Sequence, residues 1–469
     1  MTAQGWRRDP APAAPAPRSL RDQFDSWRDG DGPIALLLCA LTFAAQMAWA
    51  AEGYRLEFLF SGLFALLLLG LLTFRPWVRD ALGFSDPWLI AGAALFLAAL
   101  GVGLLGLTPF LPGGAHPVWS YVRAAPAVTL GRSGTWAAIV TLAGLGCAFL
   151  TGLTVGRRDT IAERFLSLLV PAFALFAFWS LITFTTDPKT LWGQVKVAAP
   201  DRLAGAYSTA NAAALVLGVG LIFALADLFR VLRRHGGLKG LKRTPDAALP
   251  RLAPGLAAIL LCGAALALTQ SRGGAAATFV GLLGLIGLEA QLGRGGKSVR
   301  TGLIAGGAVL ALLAAFALYR PELFGRLMNA GADFETRRAI FSAHWKAFLA
   351  SPWSGYGLGS FDRLHNLILN QADYAQTWNV RAAHNVVLQW LISGGLIGAL
   401  PMFACIGCLL WVLVRGLGRR LRMTGWLRAV LCASLVVLIA SLTDYGLEEP
   451  AVALLWAVLL GLGAGLAAR

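Results

Sequence analysis

The sequence predicts an all-α polytopic membrane protein of about twelve transmembrane helices, with one large external loop between helices 9 and 10. Three observations carry this expectation. The chain of 469 residues is 57% hydrophobic and only 14% charged, with a mean hydropathy of +0.66, whereas soluble domains average about 45–50% apolar and about 25% charged residues. Its apolar residues fall into runs near the length that crosses a bilayer, about 20 residues. Its basic excess, 40 Lys+Arg against 24 Asp+Glu, is spread unevenly between alternate connecting segments. This composition excludes a disordered chain, a secreted disulfide scaffold and an ordinary cytosolic enzyme.

The runs lie at 33–50, 56–74, 88–108, 135–156, 166–184, 208–229, 252–270, 275–290, 301–319, 386–414, 429–442 and 451–467. The first follows a polar tail of Pro/Ala-rich residues 1–32, so it reads as a span rather than a cleavable signal. That tail reads as disordered. The tenth run carries Gly394-Gly395 and Pro401, which predict a kink or a break. The eleventh is short before Asp444 and recruits Trp426 and Leu427, with Arg428 snorkelling. Residues 33–319 thus hold helices 1–9 and residues 386–469 hold helices 10–12. Between them, 320–385 is too short for an independent domain with a large core and is expected to pack over the mouth of the bundle. Phe341, Trp345 and Phe348 recur there at helical spacing, predicting an amphipathic helix near 336–350. The turn-rich GYGLGS run follows at 355–360.

Charge orients the bundle. With the N-terminus inside, the cytoplasmic segments hold 26 of the 40 Lys+Arg and the external segments 14, while the acids divide 12 and 12. The positive-inside rule then places both termini in the cytoplasm. A pI of 10.3 first suggests nucleic acid, but topology accounts for most of the excess and no nucleic-acid partner is expected.

Several patterns carry no chemistry. Cys39, Cys147, Cys262, Cys405, Cys408 and Cys432 all fall within runs, and Cys405-x-x-Cys408 has no second pair and no nearby His, so they read as buried apolar side chains. Asp29-Gly30-Asp31 matches the D-x-D of metal-dependent sugar transferases but lies in the cytoplasmic tail. No other cluster has ligand spacing, so the sequence offers no metal site and implies no cofactor. Asp227 and Glu289 fall at cytoplasmic ends of runs rather than at mid-membrane, which weakens a proton-driven transporter reading.

The remaining polar residues gather on the external side. Arg202 and Asn211 lie in RLAGAYSTAN, Arg272 in the turn TQSRGG, Arg337 and Arg338 at the start of the loop helix, and His384-Asn385 at the start of run ten. One such arginine is equally well a head-group anchor, and a lone His at a helix start is more often structural than catalytic. Four separate positions together suggest a basic pocket at the membrane boundary. Guanidinium groups suit phosphate because they stay charged and donate in a fork. A histidine beside them exchanges protons near neutral pH.

These segments resemble the O-antigen ligase and O-antigen polymerase superfamily. AHNVVLQWLISGGLIG (383–398) resembles its H-N-x-x-L-Q-x-L-x-x-x-G-x-x-G signature, and RRAIFSAHWKAFLASPWSGYGLGSF (337–361) its R-x-x-x-[W/F]…P-x-x-G-x-G-x-x-F loop. TQSRGG (269–274) is similar to its S-R-G turn, RLAGAYSTANAAA (202–214) to its R-x-x-G-x-x-x-x-x-N-x-x-A segment, and SLTDYGLEEP (441–450) to a D-Y/F-x-L-x-x-P element of polysaccharide-polymerase members. Ser393 departs from the acidic residue that many members carry before the glycine. The resemblance covers about residues 200–450.

It implies a metal-independent glycosyltransferase of a Gram-negative inner membrane, with its active site at the periplasmic face and with 320–385 as a periplasmic loop. The donor would be a glycan on undecaprenyl diphosphate. The acceptor would be another lipid-linked glycan for a polymerase, or lipid A–core for a ligase, with membrane lipid as the surrounding partner. His384 would be the base or acceptor-orienting residue. Arg202 and Arg272 would hold the diphosphate, Arg337 or Arg338 would make a further phosphate or sugar contact, and Asn211 and Asn385 would line the site. The C-terminal element favours polymerase. A twelve-helix transporter or lipid-linked-glycan flippase is the rival class, but no internal repeat or major-facilitator loop pattern is seen.

Overall fold

The computed structural model describes residues 32–83, 85–122, 124–196, 201–237, 245–292, 307, 331–371, 374–378, 380–420 and 422–468. The tail 1–31 with its D-x-D pattern and nearly all of the ninth run, 301–319, lie outside the described residues.

Eleven helices correspond to the remaining runs: α1 Gly32–Met47, α2 Tyr54–Phe74, α3 Pro87–Leu105, α4 Arg132–Gly156, α5 Asp159–Thr186, α6 Ala210–Arg234, α7 Pro245–Thr269, α8 Arg272–Leu292, α11 Val386–Arg419, α12 Thr424–Ser441 and α13 Pro450–Ala467. Between α8 and α11 stand α9 Gly331–Ala350 and α10 Phe361–Ile368. Among the described residues ten helices are long and apolar enough to cross a membrane, and the protein is an all-α, multi-pass membrane protein. At 16 residues, α1 is shorter than its run. The strands among the described residues are Thr190–Leu191 and Gln194–Val195, paired antiparallel in a hairpin between α5 and α6.

Helices α6 and α13 are buried on all sides, so their uniformly apolar sequences need no polar face. Bilayer lipid supplies no hydrophobic drive between helices, and close packing takes its place. The α4–α13 contact is the most extensive in the bundle. It crosses at Gly152-x-x-x-Gly156 and Gly461-x-x-x-Gly465, where the backbones touch. A Cβ at Gly152 would overlap the Val458 carbonyl oxygen, and one at Gly461 the Phe149 carbonyl oxygen.

The ends of the bundle differ in electrostatics. At the end where α6 finishes, arginines are matched by acids: Arg230 with Asp227 at 2.6 Å and Glu163 at 3.3 Å, Arg233 and Arg428 with Glu289, and Arg420 with Asp159 at 2.6 Å. Asp227 and Glu289 are thus ion-pair partners at a bundle end. The opposite end, where α6 begins, gathers Arg202, Arg272, Arg337 and His384.

Helix α11 is what brings His384 there. Its 34 residues would extend about 51 Å as one straight helix, well beyond the roughly 30 Å of hydrocarbon. Of the two sequence breakers it is Gly395 that acts, with φ 58° and ψ −166°; Pro401 stays within the helical continuation. A break inside an apolar helix frees backbone groups that need partners. Residues 352–357 supply them. Tyr356 and Gly357 N–H donate to the Ile392 and Ser393 carbonyls at 2.9 and 2.8 Å, while Leu396 and Ile397 N–H donate to Pro352 and Trp353 at 2.8 and 3.1 Å. The approach requires Gly355, at φ 62°, because a Cβ there would sit 2.6 Å from Gly395 N and Ile392 O.

Above this splice, α9 and α10 form a cap whose small core includes Phe348, Tyr356, Phe361, Leu364, Leu388 and Leu130. The inward stripe of α9 is Ile340, His344, Ala347 and Phe348, whereas Trp345 is 48% exposed and Phe341 half-buried. The face anticipated from Phe341, Trp345 and Phe348 is therefore rotated, because His344 takes an inward position. Burial lowers the His344 imidazole to about 4, despite its hydrogen bond to the Ile340 carbonyl. It therefore packs as a neutral ring against Phe361 and His365.

Gly152→Val or Gly461→Val is expected to destabilise the bundle by at least about 1–3 kcal/mol through overpacking, seen as a lowered melting temperature in detergent. Gly62→Val, where a Cβ meets nothing within 4 Å, is expected to leave it unchanged.

Candidate functional site

Four chain segments converge at the His384 end. The turn between α7 and α8 is built by TQSRGG. Gln270 adopts a left-handed φ of 51°, and the Ser271 hydroxyl accepts from Gly274 N–H at 3.2 Å, capping α8. Gly273 and Gly274 admit Thr443 and Ala214 at distances that a Cβ would forbid. Arg272, the first residue of α8, is thereby fixed at the rim. Arg202 approaches from the segment before α6. Its Nε donates to the Thr269 carbonyl at 2.8 Å and its guanidinium to Asn211 Oδ1 at 3.2 Å. Arg337 enters from the first turns of α9 and donates to the Thr443 carbonyl at 2.7 Å.

His384 precedes the broken helix α11. Its φ of 51° is a left-handed conformation that costs a non-glycine residue about 1–2 kcal/mol. Neighbouring contacts hold it there: Ala383 N–H donates to Gln389 Oε1, and Asn385 Oδ1 accepts from Leu388 N–H as the helix cap, both at 2.9 Å. Asn385 Nδ2 also donates to the Leu442 carbonyl at 2.8 Å, tying α11 to the end of α12.

Asp444 joins these segments. One carboxylate oxygen accepts from His384 Nδ1 at 3.0 Å and from Tyr445 N–H at 2.8 Å. The other accepts from Asn211 Nδ2 and lies 3.9 Å from Arg337. The residue is only 8% exposed. Burial pushes its carboxyl up, but the hydrogen bond and charge of His384, the Tyr445 N–H and the Arg337 charge outweigh burial. They hold it below the ordinary carboxylate range. With Asp444 engaging Nδ1, Nε2 is the His384 nitrogen left for proton exchange with a substrate. The His384 ring also meets Tyr445 edge-on at 4.8 Å.

A cavity of about 230 Å³ opens among these groups, lined by Arg202, Asn211, Gln270, Arg272, Arg337 and Asp444 together with Ser271 and Thr443. Four residues anticipated from the sequence, Arg202, Asn211, Arg272 and Arg337, therefore share one cavity. His384 and Asn385 adjoin it through Asp444 and Leu442. Arg338 is exposed and is not among the lining residues, so the ambiguity between the paired arginines resolves to Arg337 as the one on the cavity.

Residues 257–403 match the family model for O-antigen ligase. This segment is of the O-antigen ligase and polymerase superfamily. The matched segment holds Arg272, Arg337, His384 and Asn385, while Arg202, Asn211 and Asp444 complete the cavity from outside it. No curated protein matches the chain. Asp444 was not among the site residues expected from the sequence; the signal for it was an acid directly after the eleventh apolar run, inside SLTDYGLEEP.

A second acid, Glu449, is 3% exposed at the start of α13 and accepts from Ser208 Oγ at 3.0 Å. Burial, with the Glu52 charge, pushes its carboxyl up to about 8. A raised carboxyl keeps its proton in the folded state while the unfolded chain loses its own, so the fold loses stability as pH rises from the ordinary carboxylate range to about 8. Glu449→Gln is expected to raise the melting temperature at pH 8–9 and to leave it unchanged near pH 4. Thermal scans of both proteins across that range check this.

Proposed function

We propose that the protein is a glycosyltransferase that moves a glycan from undecaprenyl diphosphate to an acceptor sugar hydroxyl at the periplasmic face of the inner membrane, with both termini cytoplasmic. The observation that carries the reading is the convergence of Arg202, Arg272 and Arg337 with the His384–Asp444 pair on one cavity, beside a segment of O-antigen ligase type.

The chemistry follows from the groups present. The acceptor hydroxyl attacks the anomeric carbon and its proton passes to His384 Nε2. The new glycosidic C–O bond forms as the bond to the diphosphate oxygen breaks, and that electron pair leaves on the diphosphate. Asp444 holds the imidazole tautomer and stabilises the imidazolium. Arg202, Arg272 and Arg337 receive the developing negative charge from fixed positions, the role that preorganised cations play in such transfers, and that a divalent metal fills in other sugar transferases. Asn211 orients both Arg202 and Asp444.

The polymerase reading, in which the acceptor is another lipid-linked repeat, rests on the SLTDYGLEEP element. The ligase reading, in which the acceptor is lipid A–core, is the alternative, and the family match is common to both. Loss of the gene separates them: loss of a polymerase leaves single repeats or no polymer, and loss of a ligase leaves long chains on the carrier lipid.

Purified protein given a lipid-diphosphate glycan is expected to release carrier diphosphate. His384→Ala, Arg272→Ala and Arg337→Ala are each expected to slow release by about 100-fold or more, with Arg338→Ala near wild type. Movement of the glycan across vesicles without bond cleavage would overturn the reading in favour of a flippase.

A further inference from the structure

The cap holds two buried histidines whose tautomers the backbone fixes. His344, on α9, and His365, on α10, are 0% and 4% exposed. His344 Nδ1 lies 2.8 Å from the Ile340 carbonyl oxygen, and His365 Nε2 lies 2.7 Å from that of Thr377. A carbonyl oxygen only accepts, so each of these nitrogens carries its ring's N–H. A neutral imidazole has one N–H, which leaves His344 Nε2 and His365 Nδ1 with lone pairs alone. Those two nitrogens face each other at 3.4 Å. With both rings neutral, two acceptors meet in a closed core with no proton between them. One added proton turns this opposition into an N–H···N hydrogen bond.

The surroundings admit one such proton and resist a second. Phe361 lies nearly parallel to both rings, at 4.9 Å and 12° from His344 and at 5.7 Å and 6° from His365, and an aromatic ring favours a cation beside it. Among the described residues neither histidine is in an ion pair with a carboxylate. The titratable groups on the elements around the pair are exposed: Arg338 and Lys346 on α9, Asp362 and Arg363 on α10, Tyr374 near Thr377, and Arg381 before α11. Arg337 is half-buried and bonds the Thr443 carbonyl, and His116, from the loop before α4, meets Tyr356 of the cap core at 5.9 Å. Burial, with the charges of His365 and His384, holds the His344 imidazole down at about 4. A first proton therefore belongs on His365 Nδ1, with His344 Nε2 as its acceptor, and the two rings titrate as a pair.

We infer that His344 and His365 form a one-proton latch: a single proton between them fastens α9, α10 and the chain leading to His384 together, and loss of that proton or gain of a second loosens them. Each ring connects to a group at the cavity. Arg337 lies seven residues before His344 on α9, about two helical turns, and Thr377, the partner of His365, lies seven residues before His384. The latch concerns the response of the cap to pH and holds whatever reaction the cavity performs. In the closed cap the bridging proton gains a charge-assisted hydrogen bond that an open cap lacks. It is bound more tightly there, so closure weakens as pH rises and removes it. The second proton is bound less tightly, because His344 is lowered from 6.5 to about 4, so closure weakens again as pH falls across that range. Closure is therefore strongest near the ordinary histidine value of about 6.5.

The test uses full-length protein in nanodiscs and follows amide hydrogen exchange in α9, α10 and residues 374–378. Exchange rates, corrected for the intrinsic effect of pH, are expected to be lowest near pH 6.5 and to rise about tenfold toward pH 8.5 and again toward pH 4.5. In magnetic-resonance spectra of isotope-labelled histidine, His344 Nε2 and His365 Nδ1 are expected to be bare of protons at pH 8.5 and to share one proton near pH 6.5. His344→Phe, which keeps a ring against Phe361, is expected to flatten the exchange profile. His384→Ala is expected to preserve it, because the partner of that ring is Asp444. A wild-type profile that is flat, or that changes in one direction only, overturns the latch, and so does a profile that survives His344→Phe. Two histidines that titrate independently in the wild-type spectra overturn it as well, a result that needs no variant to fold. Absence of glycan transfer by the purified protein counts against the proposed function and leaves the latch standing.

Discussion

The Asp444 carboxylate is the interaction on which the His384 end of the bundle depends. It accepts from the imidazole that precedes α11, from an asparagine in the first turn of α6 and from the backbone after α12, and it faces the guanidinium that α9 delivers. A buried carboxylate is costly unless paired, so each partner is held in place by the charge it compensates. Arg202, Arg272 and Arg337 line one cavity with this acid, and it faces Arg337 directly at 3.9 Å.

Two packing devices bring Asp444 and its partners into register. Glycine pairs let α4 and α13 touch along their backbones, which fixes how α13, the helix that follows the Asp444 connection, lies against α4. The Gly395 break, completed by main-chain bonds from 352–357, turns the first part of α11 away from the spanning portion and carries His384 to the cavity. Both devices replace side-chain packing with backbone contact, and such contact tolerates little adjustment.

The spans were legible in the sequence because an apolar run of bilayer length fits little besides a membrane crossing. Arg202, Arg272 and His384 were legible because each polar residue stands at the end of a run beside a turn. Asp444 stands at such an end too, but a solitary acid after a short run reads equally as a boundary, and only the histidine 60 residues earlier gives it meaning. Arg337 and Arg338 could not be separated by spacing, since neighbours on a helix point about 100° apart and packing alone selects which one faces inward. The choice of Gly395 over Pro401 was equally hidden, because it is set by partners some 40 residues upstream in the chain.

The splice at Gly395 makes the cap and the His384 arm one mechanical piece. Arg337 rides at one end of it and His384 at the other, joined by main chain rather than by side chains that can swing independently. On the proposed roles, a displacement of the cap wide enough to admit an acceptor withdraws the candidate phosphate ligand Arg337 and the candidate proton acceptor His384 in the same stroke. An open site is an idle one. On the proposed chemistry, water that enters through the gap finds the activated glycan without its catalyst, so the architecture guards against wasteful hydrolysis by timing.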